Sequence, residues 1–172
     1  MSGMGQGPED QLAELYATAC PRLVGYLTVL IGNPADAEEV AQETFVQALR
    51  HWRRIRAYDD PTAWLYRVAT RLAISRGRRS QVARRGLVRL QAGVREHDTS
   101  GGGDDNLDLD LDQAMASLTP EHRAVLLLHH LHDLSVADVA RVLDLAEGTV
   151  KSRLARARAA LMPLLDDPRR IS

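Results

Sequence analysis

Basic residues between Lys151 and Arg158 are spaced so that one face of a helix could contact DNA. Val150, Leu154, Ala157 and Leu161 recur at the period of an amphipathic helix. The opposite face carries Lys151, Ser152, Arg153, Arg156 and Arg158. A polar, mostly cationic helix face of this kind fits the major groove of DNA. The alternative is an ordinary amphipathic helix hairpin with a solvated basic face.

A second group of arginines, interleaved with aromatic residues, follows the loop at residues 53–62. A helix predicted from about Pro61 to Arg79 carries an arginine ridge, which consists of Arg67, Arg71, Arg76, Arg78 and Arg79. Arginines can hold the backbone of single-stranded nucleic acid, and rings can stack on unpaired bases for about 1–3 kcal/mol each. The alternative is that Trp64 and Tyr66 are core aromatics. We favour the core for Trp64 and expect Tyr58, in the loop, to be exposed.

Histidines near the end of a predicted helix could suggest a metal site. His129 and Asp133 are four residues apart, and His130 and His132 lie beside them. A zinc site needs three or four converging ligands, and no matching His or Cys cluster occurs elsewhere in the sequence. The helix dipole alone favours histidine at this end. No catalytic signature appears, so we predict no metal, no cofactor, no small-molecule substrate and no enzymatic activity.

The charge is strongly segregated along the chain. The 172 residues have a net charge of −1, yet residues 50–95 hold thirteen arginines and two aspartates, and residues 96–121 hold eight acidic residues and no basic one. A dense cationic block predicts a polyanion as partner, and an acidic block after it is typical of a spacer that stays away from that partner. Twenty-one of the 22 basic residues are arginine, which favours bidentate contacts with phosphate and guanine.

The sequence also predicts the compartment. No apolar run approaches the ~20 residues of a membrane span. Residues 1–10 are rich in glycine, contain acidic residues and lack the apolar core of a signal peptide, so we predict a disordered N-terminus and a cytoplasmic protein without membrane contact. Cys20, the single cysteine, cannot form an internal disulfide, and we expect it to pack in the core.

In the first half of the chain, hydrophobic spacing predicts helices. Residues 11–31 form either two helices or one helix kinked at Pro21. Asn33 and Pro34 start the next helix, which runs to about Arg53. Its buried side is predicted to contain Ala37, Val40, Ala41, Thr44, Phe45, Ala48, Leu49 and Trp52. The outward face is rich in Glu and Gln, which indicates either simple solubility or a docking surface.

The second half repeats this pattern after a predicted flexible linker at residues 91–106. The alternation of Leu and Asp at residues 107–112 fits a strand or a helix, and we favour the helix. Thr119 and Pro120 start a helix through Leu131. Ser135 caps a short helix to about Leu143, and after a tight turn another begins near Thr149, giving a helix-turn-helix. We predict an all-α protein with two small domains, at residues 11–90 and 107–166, and a tail at 167–172.

These stretches together resemble a known family. The segment at residues 36–45, DAEEVAQETF, looks like the core-polymerase-binding helix of sigma region 2, and AWLYRVA at 63–69 looks like the promoter-melting helix after it. Residues 134–154 look like region 4. The chain therefore resembles a bacterial sigma factor of the extracytoplasmic function (ECF) group of the sigma-70 family. The resemblance implies a protein that brings core RNA polymerase to promoter DNA and melts the promoter, with an anti-sigma factor as the expected regulatory partner.

The resemblance also implies roles for individual residues. One helix face is expected to dock on the clamp helices of the polymerase's largest subunit. It comprises Asp36, Glu39, Gln42, Glu43 and Gln47. Region 4 is expected to dock on the flap of the polymerase. The loop residues expected to capture an unpaired base of the minus-ten element, together with the arginine ridge, are Arg56, Tyr58, Asp59 and Asp60. The residues expected at the minus-thirty-five element are Thr149, Lys151, Ser152, Arg153, Ala155, Arg156 and Arg158. The acidic linker is expected to run towards the RNA exit path.

Two features depart from the family pattern. Members often have Gly in the turn of the helix-turn-helix and Ser or Pro before the recognition helix, where this chain has Asp144 and Ala146. Asp tolerates a left-handed turn, but Ala146 cannot cap, so we expect a looser turn.

The alternative function is a helix-turn-helix regulator that binds operators as a dimer without polymerase.

Overall fold

The computed structural model describes residues 7–88 and 114–165, with side chains at 7–79 and 114–162. This part of the chain is helical and contains no strand, which confirms the all-α prediction. Residues 114–117 are helical as well. The six main helices are α1 (Pro8–Ile31), α2 (Pro34–Ile55), α3 (Pro61–Val88), α4 (Pro120–His130), α5 (Val136–Leu143) and α6 (Glu147–Leu165). We call α1–α3 the N-terminal unit and residues 114–165 the C-terminal unit.

Several sequence predictions lie outside the described residues, namely the linker at 91–106, the alternating segment at 107–112 and the tail at 167–172. The predicted disordered N-terminus is wrong for its last residues, because α1 already begins at Pro8. The backbone N–H of Gly7 donates to Asp10 Oδ2 at 3.0 Å, and the indole N–H of Trp52 donates to the carbonyl of Pro8. The first contact caps the helix start, and the second holds it against α2.

Helix α1 is continuous through Pro21, which decides between the two predicted alternatives in favour of a single helix. Proline lacks the N–H that would complete a helical hydrogen bond. The loss is offset by burial, because Leu23, Tyr26 and Leu27 after the proline are fully inaccessible in the core. The helix ends at Gly32, whose φ of 79° is the left-handed conformation that glycine adopts without strain.

Helix α2 starts as predicted. The side chain of Asn33 accepts from the backbone N–H of Asp36 at 3.1 Å, and Pro34 occupies the first helical position. The predicted inner face is buried except for Leu49, whose residue surface is 64% exposed. The prediction for Leu49 is wrong, because this side chain lies on the flank of the stripe and stays uncovered, although Ala48, Trp52 and Ile55 around it are buried.

Helix α3 is capped by Asp60, whose carboxylate accepts from the N–H of Ala63 at 2.9 Å, and it continues beyond the predicted end to Val88. Tyr66 is buried at 8% exposure, and its ring packs edge-on against Tyr26 of α1. Tyr66 is therefore a core aromatic, whereas Trp64 is half-buried against the core. Cys20 also packs against this core as a partly buried residue.

The C-terminal unit is built from α4, α5 and α6. Thr119 caps α4 by accepting from the N–H of His122, and Ser135 caps α5 by accepting from the N–H of Asp138, both as predicted. Val125 and Leu128 of α4, Val139 of α5 and Val150 of α6 are fully buried. The recognition helix α6 begins at Glu147, two residues earlier than predicted.

The two units pack against each other through buried groups. The guanidinium of Arg123 in α4, itself buried, donates to the carbonyl of Leu30 in α1 at 2.6 Å and to that of Leu118 at 3.2 Å. The ring of His132 lies between the two units, 4.8 Å from the ring of Tyr66 and 5.8 Å from that of Tyr26. The structure therefore holds both units in one core.

Candidate polymerase and DNA interfaces

The outward face of α2 gathers the residues predicted to dock on polymerase. Ala37, Val40, Ala41 and Thr44 are buried on the other side of the helix. Because the helical period separates the two sets, the predicted residues point away from the core as one docking face. Within it, Asp36, Glu39 and Gln42 are exposed, and Glu43 and Gln47 are half-buried.

Arg76 differs from the other arginines of the ridge because it lies against the docking face of α2. Its guanidinium donates to Glu39 Oε1 at 2.9 Å and to Glu43 Oε2 at 3.1 Å. The hydrogen bond and the charge of Arg76 lower the pKa of the Glu39 carboxyl, and the same pairing with Glu39 raises the pKa of Arg76. The geometry therefore joins a residue predicted at the minus-ten element to two residues predicted at the polymerase.

The loop between α2 and α3 is short and ordered by its own backbone. The N–H of Ala57 donates to the carbonyl of Arg54, and the N–H of Tyr58 donates to that of Ile55. Tyr58 is 38% exposed, as predicted, and Arg56 and Asp59 are also exposed. The carboxylate of Asp60 caps α3, so one role of this side chain is to order the end of the loop.

Three arginines of the ridge contact the C-terminal unit. Arg67 donates through Nε to the carbonyl of Val142 at 2.9 Å and through its second guanidinium nitrogen to the carbonyl of Arg141. Arg71 lies 3.4 Å from Asp144, and Arg78 lies 2.7 Å from Glu121. Arg79 donates instead within its own helix, to the carbonyl and hydroxyl of Ser75. No sequence signal could indicate the partners of Arg67, Arg71 and Arg78, because those contacts join positions more than forty residues apart.

The recognition helix α6 presents its polar face to solvent. The predicted apolar stripe is confirmed for Val150, Leu154 and Ala157, which are buried, and Leu161 packs against the core as a partly buried residue. Of the residues predicted at the minus-thirty-five element, Lys151, Ser152, Ala155, Arg156 and Arg158 are exposed, and Thr149 and Arg153 are half-buried. Arg158 also contacts α4, because a guanidinium nitrogen of this residue lies 3.3 Å from Nε2 of His130.

The turn of the helix-turn-helix has the geometry expected for Asp144. This residue adopts φ 58° and ψ 53°, a left-handed conformation, and its N–H donates to the carbonyl of Ala140. The carbonyl of Ala146 accepts from the N–H of Thr149 at 2.9 Å and that of Val150 at 3.2 Å. The backbone of Ala146 thus starts α6, although its side chain cannot cap.

Two of the histidines contribute to packing within the fold. His129 Nδ1 lies 2.6 Å from the carbonyl of Leu134. His132 Nδ1 lies 3.5 Å from the hydroxyl of Tyr66, and burial together with Arg22 lowers the pKa of His132. Among residues 7–88 and 114–165 there is no group of three His, Cys, Asp or Glu side chains arranged to hold a metal ion. No helix in the same ranges is long and apolar enough to cross a membrane.

Comparison with known proteins decides the family. The sequence model of sigma-70 region 2 matches residues 15–82, and that of sigma-70 region 4 matches residues 108–161. The ECF RNA polymerase sigma factor SigL of Mycobacterium tuberculosis is 34% identical over 97% of this chain and 96% of its own length. The chain belongs to the ECF RNA polymerase sigma factors. It is therefore a transcription initiation factor, and the alternative of an operator-binding regulator that works without polymerase is not favoured.

Two further proteins extend the comparison. The ECF sigma factor SigE of Mycolicibacterium smegmatis is 34% identical over 91% of this chain, which spans 61% of that longer protein. The structure of the sigma factor RpoE in complex with the anti-sigma factor NepR from Bartonella quintana matches with a TM-score of 0.70 and 25% identity, over 92% of this chain and 98% of that one. The N-terminal unit of this chain thus corresponds to region 2 and the C-terminal unit to region 4.

Proposed function

We propose that this sigma factor binds core RNA polymerase through the docking face of α2. The proposal depends on one observation, which is that the acidic and amide side chains of this helix lie on the side opposite its buried residues. Glu39, Gln42 and Glu43 lie outward, while Val40 and Thr44 are fully buried. The acidic and amide groups complement a basic helical surface such as the clamp helices of the largest subunit. Arg76 holds Glu39 and Glu43 side by side, so we assign it a positioning role here.

We further propose that the loop and the arginine ridge hold the melted minus-ten strand. Tyr58 is exposed in the loop and could stack on a base, whereas Tyr66 is buried and cannot. Arg56 is exposed, and Arg67, Arg71 and Arg78 project along one side of α3. Flipping a base costs a few kcal/mol, which stacking and phosphate contacts must offset. In this proposal Asp59 and Asp60 shape the base-capturing loop and do not contact phosphate.

Recognition of the minus-thirty-five element belongs in this proposal to α6. Lys151, Ser152 and Arg156 are exposed near its N-terminal half, the part of a recognition helix that reaches base edges. Ala155 lies among them and could contact a thymine methyl group. Thr149, Arg153 and Arg158 are better placed for phosphates or for packing.

The remaining expectations follow from the polymerase. A protein that acts with core polymerase works in the cytoplasm and needs no catalytic group of its own. Region 4 would contact the flap of the polymerase, and promoter DNA would span both units. Because the matched RpoE structure contains the anti-sigma factor NepR, we expect an anti-sigma factor to regulate this chain as well.

The test is polymerase-dependent initiation. Purified protein is mixed with core polymerase and assayed for co-elution and for transcripts from a genomic promoter library. We expect the variant Gln42→Ala/Glu43→Ala to lose both activities. The matched control is Gln11→Ala/Glu14→Ala, which removes the same two groups from the surface of α1. Equal loss in both variants, or none in either, would place the docking surface elsewhere.

A further inference from the structure

Four arginines lie close together at the end of α2 and the start of the loop that follows it. They are Arg50, Arg53, Arg54 and Arg56, which we call the α2 arginine cluster, and all four are exposed. We propose that this cluster binds the phosphate backbone of the melted minus-ten strand. The inference rests on the proposed role of the loop in base capture, and it adds residues of α2 to the surface that holds the strand.

The cluster differs from the arginine ridge because its charges have no acidic partner. Arg71, Arg76 and Arg78 of the ridge each form an ion pair with a carboxylate. Within residues 7–79 and 114–162, the structure shows neither an ion pair nor a side-chain hydrogen bond for any arginine of the cluster. Four positive charges are therefore left on this surface without a carboxylate to neutralise them.

The dipole of α2 accounts for only part of the cluster. A helix C-terminus favours cations, but this effect falls off beyond the last turn. Arg53 and Arg54 lie in the last turn, whereas Arg50 lies five residues before Ile55, the last residue of the helix. Arg50 and Arg54 are also four residues apart, a spacing at which like charges destabilise a helix. An anion bound between these side chains would remove that repulsion.

The length of the cluster suits a chain of phosphates. Arg56 caps α2 with helical dihedral angles, φ −61° and ψ −17°, so the helical spacing continues to the end of the cluster. Arg50 and Arg56 are six residues apart, which is about 9 Å along a helix. Roughly two or three successive phosphates of one strand of B-form DNA span this distance. Arginine also binds phosphate with two parallel N–H donors, so each side chain can hold one group.

The charge of α2 changes sign along the helix, which indicates two partners of opposite charge. The docking face, between residues 36 and 47, carries acidic and amide groups, whereas residues 50–56 contain four arginines and no acidic residue. A basic polymerase surface that complements the docking face would be repelled by the cluster. The cluster therefore requires a separate, negatively charged partner, and the DNA strand beside the loop is such a partner.

Backbone hydrogen bonds connect the cluster with the base-capturing loop. The N–H of Ala57 donates to the carbonyl of Arg54 at 3.2 Å, and the N–H of Tyr58 donates to that of Ile55 at 2.9 Å. These bonds hold the first part of the loop against the last turn of α2. Tyr58, the ring expected to stack on a base, follows Arg56 by two residues. A base stacked on Tyr58 would therefore bring its neighbouring phosphates beside the cluster.

The test measures how strongly salt weakens DNA binding. The full chain is titrated against a labelled single-stranded DNA of mixed sequence at several salt concentrations, with fluorescence anisotropy as the readout. Each phosphate contact contributes about 0.7 to the slope of log affinity against log salt for a single strand. Arg50→Gln/Arg53→Gln should reduce the magnitude of this slope by about 1.4, so the loss of affinity between about 50 and about 200 mM salt should shrink about sevenfold.

Two controls separate phosphate binding from other effects. Arg22→Gln/Arg141→Gln removes the same charge from two exposed arginines outside the cluster and should leave the slope nearly unchanged. Arg50→Lys/Arg53→Lys keeps both charges and should retain the slope of the unchanged chain. If Arg50→Gln/Arg53→Gln loses helical circular dichroism, the single variants Arg50→Gln and Arg53→Gln replace it, each with about half of the expected change.

Each outcome decides the proposal. A reduced slope confined to Arg50→Gln/Arg53→Gln supports it, and equal slopes in this variant and in Arg22→Gln/Arg141→Gln overturn it. Co-elution with core polymerase and transcript formation are measured in parallel. Loss of co-elution with an unchanged slope would assign the cluster to the polymerase and reject the proposal. Normal transcription with an unchanged slope would reject the cluster alone, whereas absence of transcription by the unchanged chain would reject the proposed roles in initiation.

Discussion

A buried pair of hydroxyl groups in region 2 gives a quantitative prediction. Tyr26 and Thr70 are both buried, and their hydroxyl oxygens are 2.8 Å apart. Thr70 donates its one proton to the carbonyl of Tyr66 at 2.6 Å, so Tyr26 must be the donor in the bond between them. Burial raises the pKa of the Tyr26 phenol, which keeps it protonated for this role.

The two single substitutions should differ in cost. Tyr26→Phe removes one net hydrogen bond and leaves Thr70 bonded to Tyr66, which should lower the free energy of unfolding by about 1 kcal/mol. Thr70→Val removes the acceptor and leaves the Tyr26 hydroxyl buried without a partner, which should cost about 1–3 kcal/mol. In Tyr26→Phe/Thr70→Val the stranded donor is gone, so the double variant should be no less stable than Thr70→Val alone.

Urea unfolding followed by far-UV circular dichroism measures all four proteins at one pH and salt concentration. The cycle gives the coupling between the two hydroxyls, which we expect to reach about 1 kcal/mol. Costs that simply add in the double variant would show that the hydroxyls act independently. That result would refute the hydrogen-bond assignment, although both side chains would remain core residues.

Two further predictions concern stability. Gly32→Ala should destabilise the protein by about 1–2 kcal/mol because φ is positive, whereas Gly25→Ala, on the exposed side of α1, should stabilise it by roughly 0.5–1 kcal/mol, and neither added methyl meets an atom within 4 Å. Chemical denaturation checks both, and equal signs would contradict the backbone argument. The pKa of His132 is lowered by burial and by Arg22, so the folded state binds its proton less readily than the unfolded chain. The stability due to neutral His132 is thus present above the ordinary histidine pKa, about 6.5, and is lost as the pH falls below it. Thermal unfolding at several pH values should show a smaller acid-side loss for His132→Phe, and identical pH profiles would reject this role.

The sequence predicts helix starts well because their causes are local. Asn33 with Pro34, Asp60 with Pro61, Thr119 with Pro120, and Ser135 each carry a cap within a few residues, and all four are confirmed. The burial of Tyr26 could have been predicted too, since it lies three residues after Leu23 on the same stripe. The exposure of Leu49 could not, because spacing does not show which flank of the stripe the neighbouring helices leave uncovered.

Contacts between distant residues are the part that sequence alone does not contain. The arginine ridge reads as one uninterrupted cationic surface, yet the structure divides it. Arg76 turns to Glu39 and Glu43 of α2, while Arg67, Arg71 and Arg78 turn to region 4. Spacing shows which residues share a helix face, but not which part of the chain covers that face. The roles of the individual site residues therefore stay predictions.

The ion pairs between α3 and region 4 contribute little to the packing of the two units. The side chains of Arg71 and Asp144 are each 65% exposed, and exposed ion pairs contribute about 0–1 kcal/mol apiece. The buried guanidinium of Arg123, which donates to the carbonyl of Leu30, and the ring of His132 against Tyr26 and Tyr66 are removed from water. These buried groups therefore contribute more to the contact between the units than the exposed ion pairs do.

Helix α3 connects the docking face of α2 physically with region 4. Arg76 and Arg78 are two residues apart, so they point to different sides of α3 and bind α2 and region 4 respectively. A polymerase surface that takes Glu39 and Glu43 as partners draws on the same carboxylates that hold Arg76. Because Arg78 lies within the same helical turn, any rearrangement of Arg76 occurs beside the contact with Glu121. The contacts of α3 with the docking face and with region 4 are thus adjacent on a single helix.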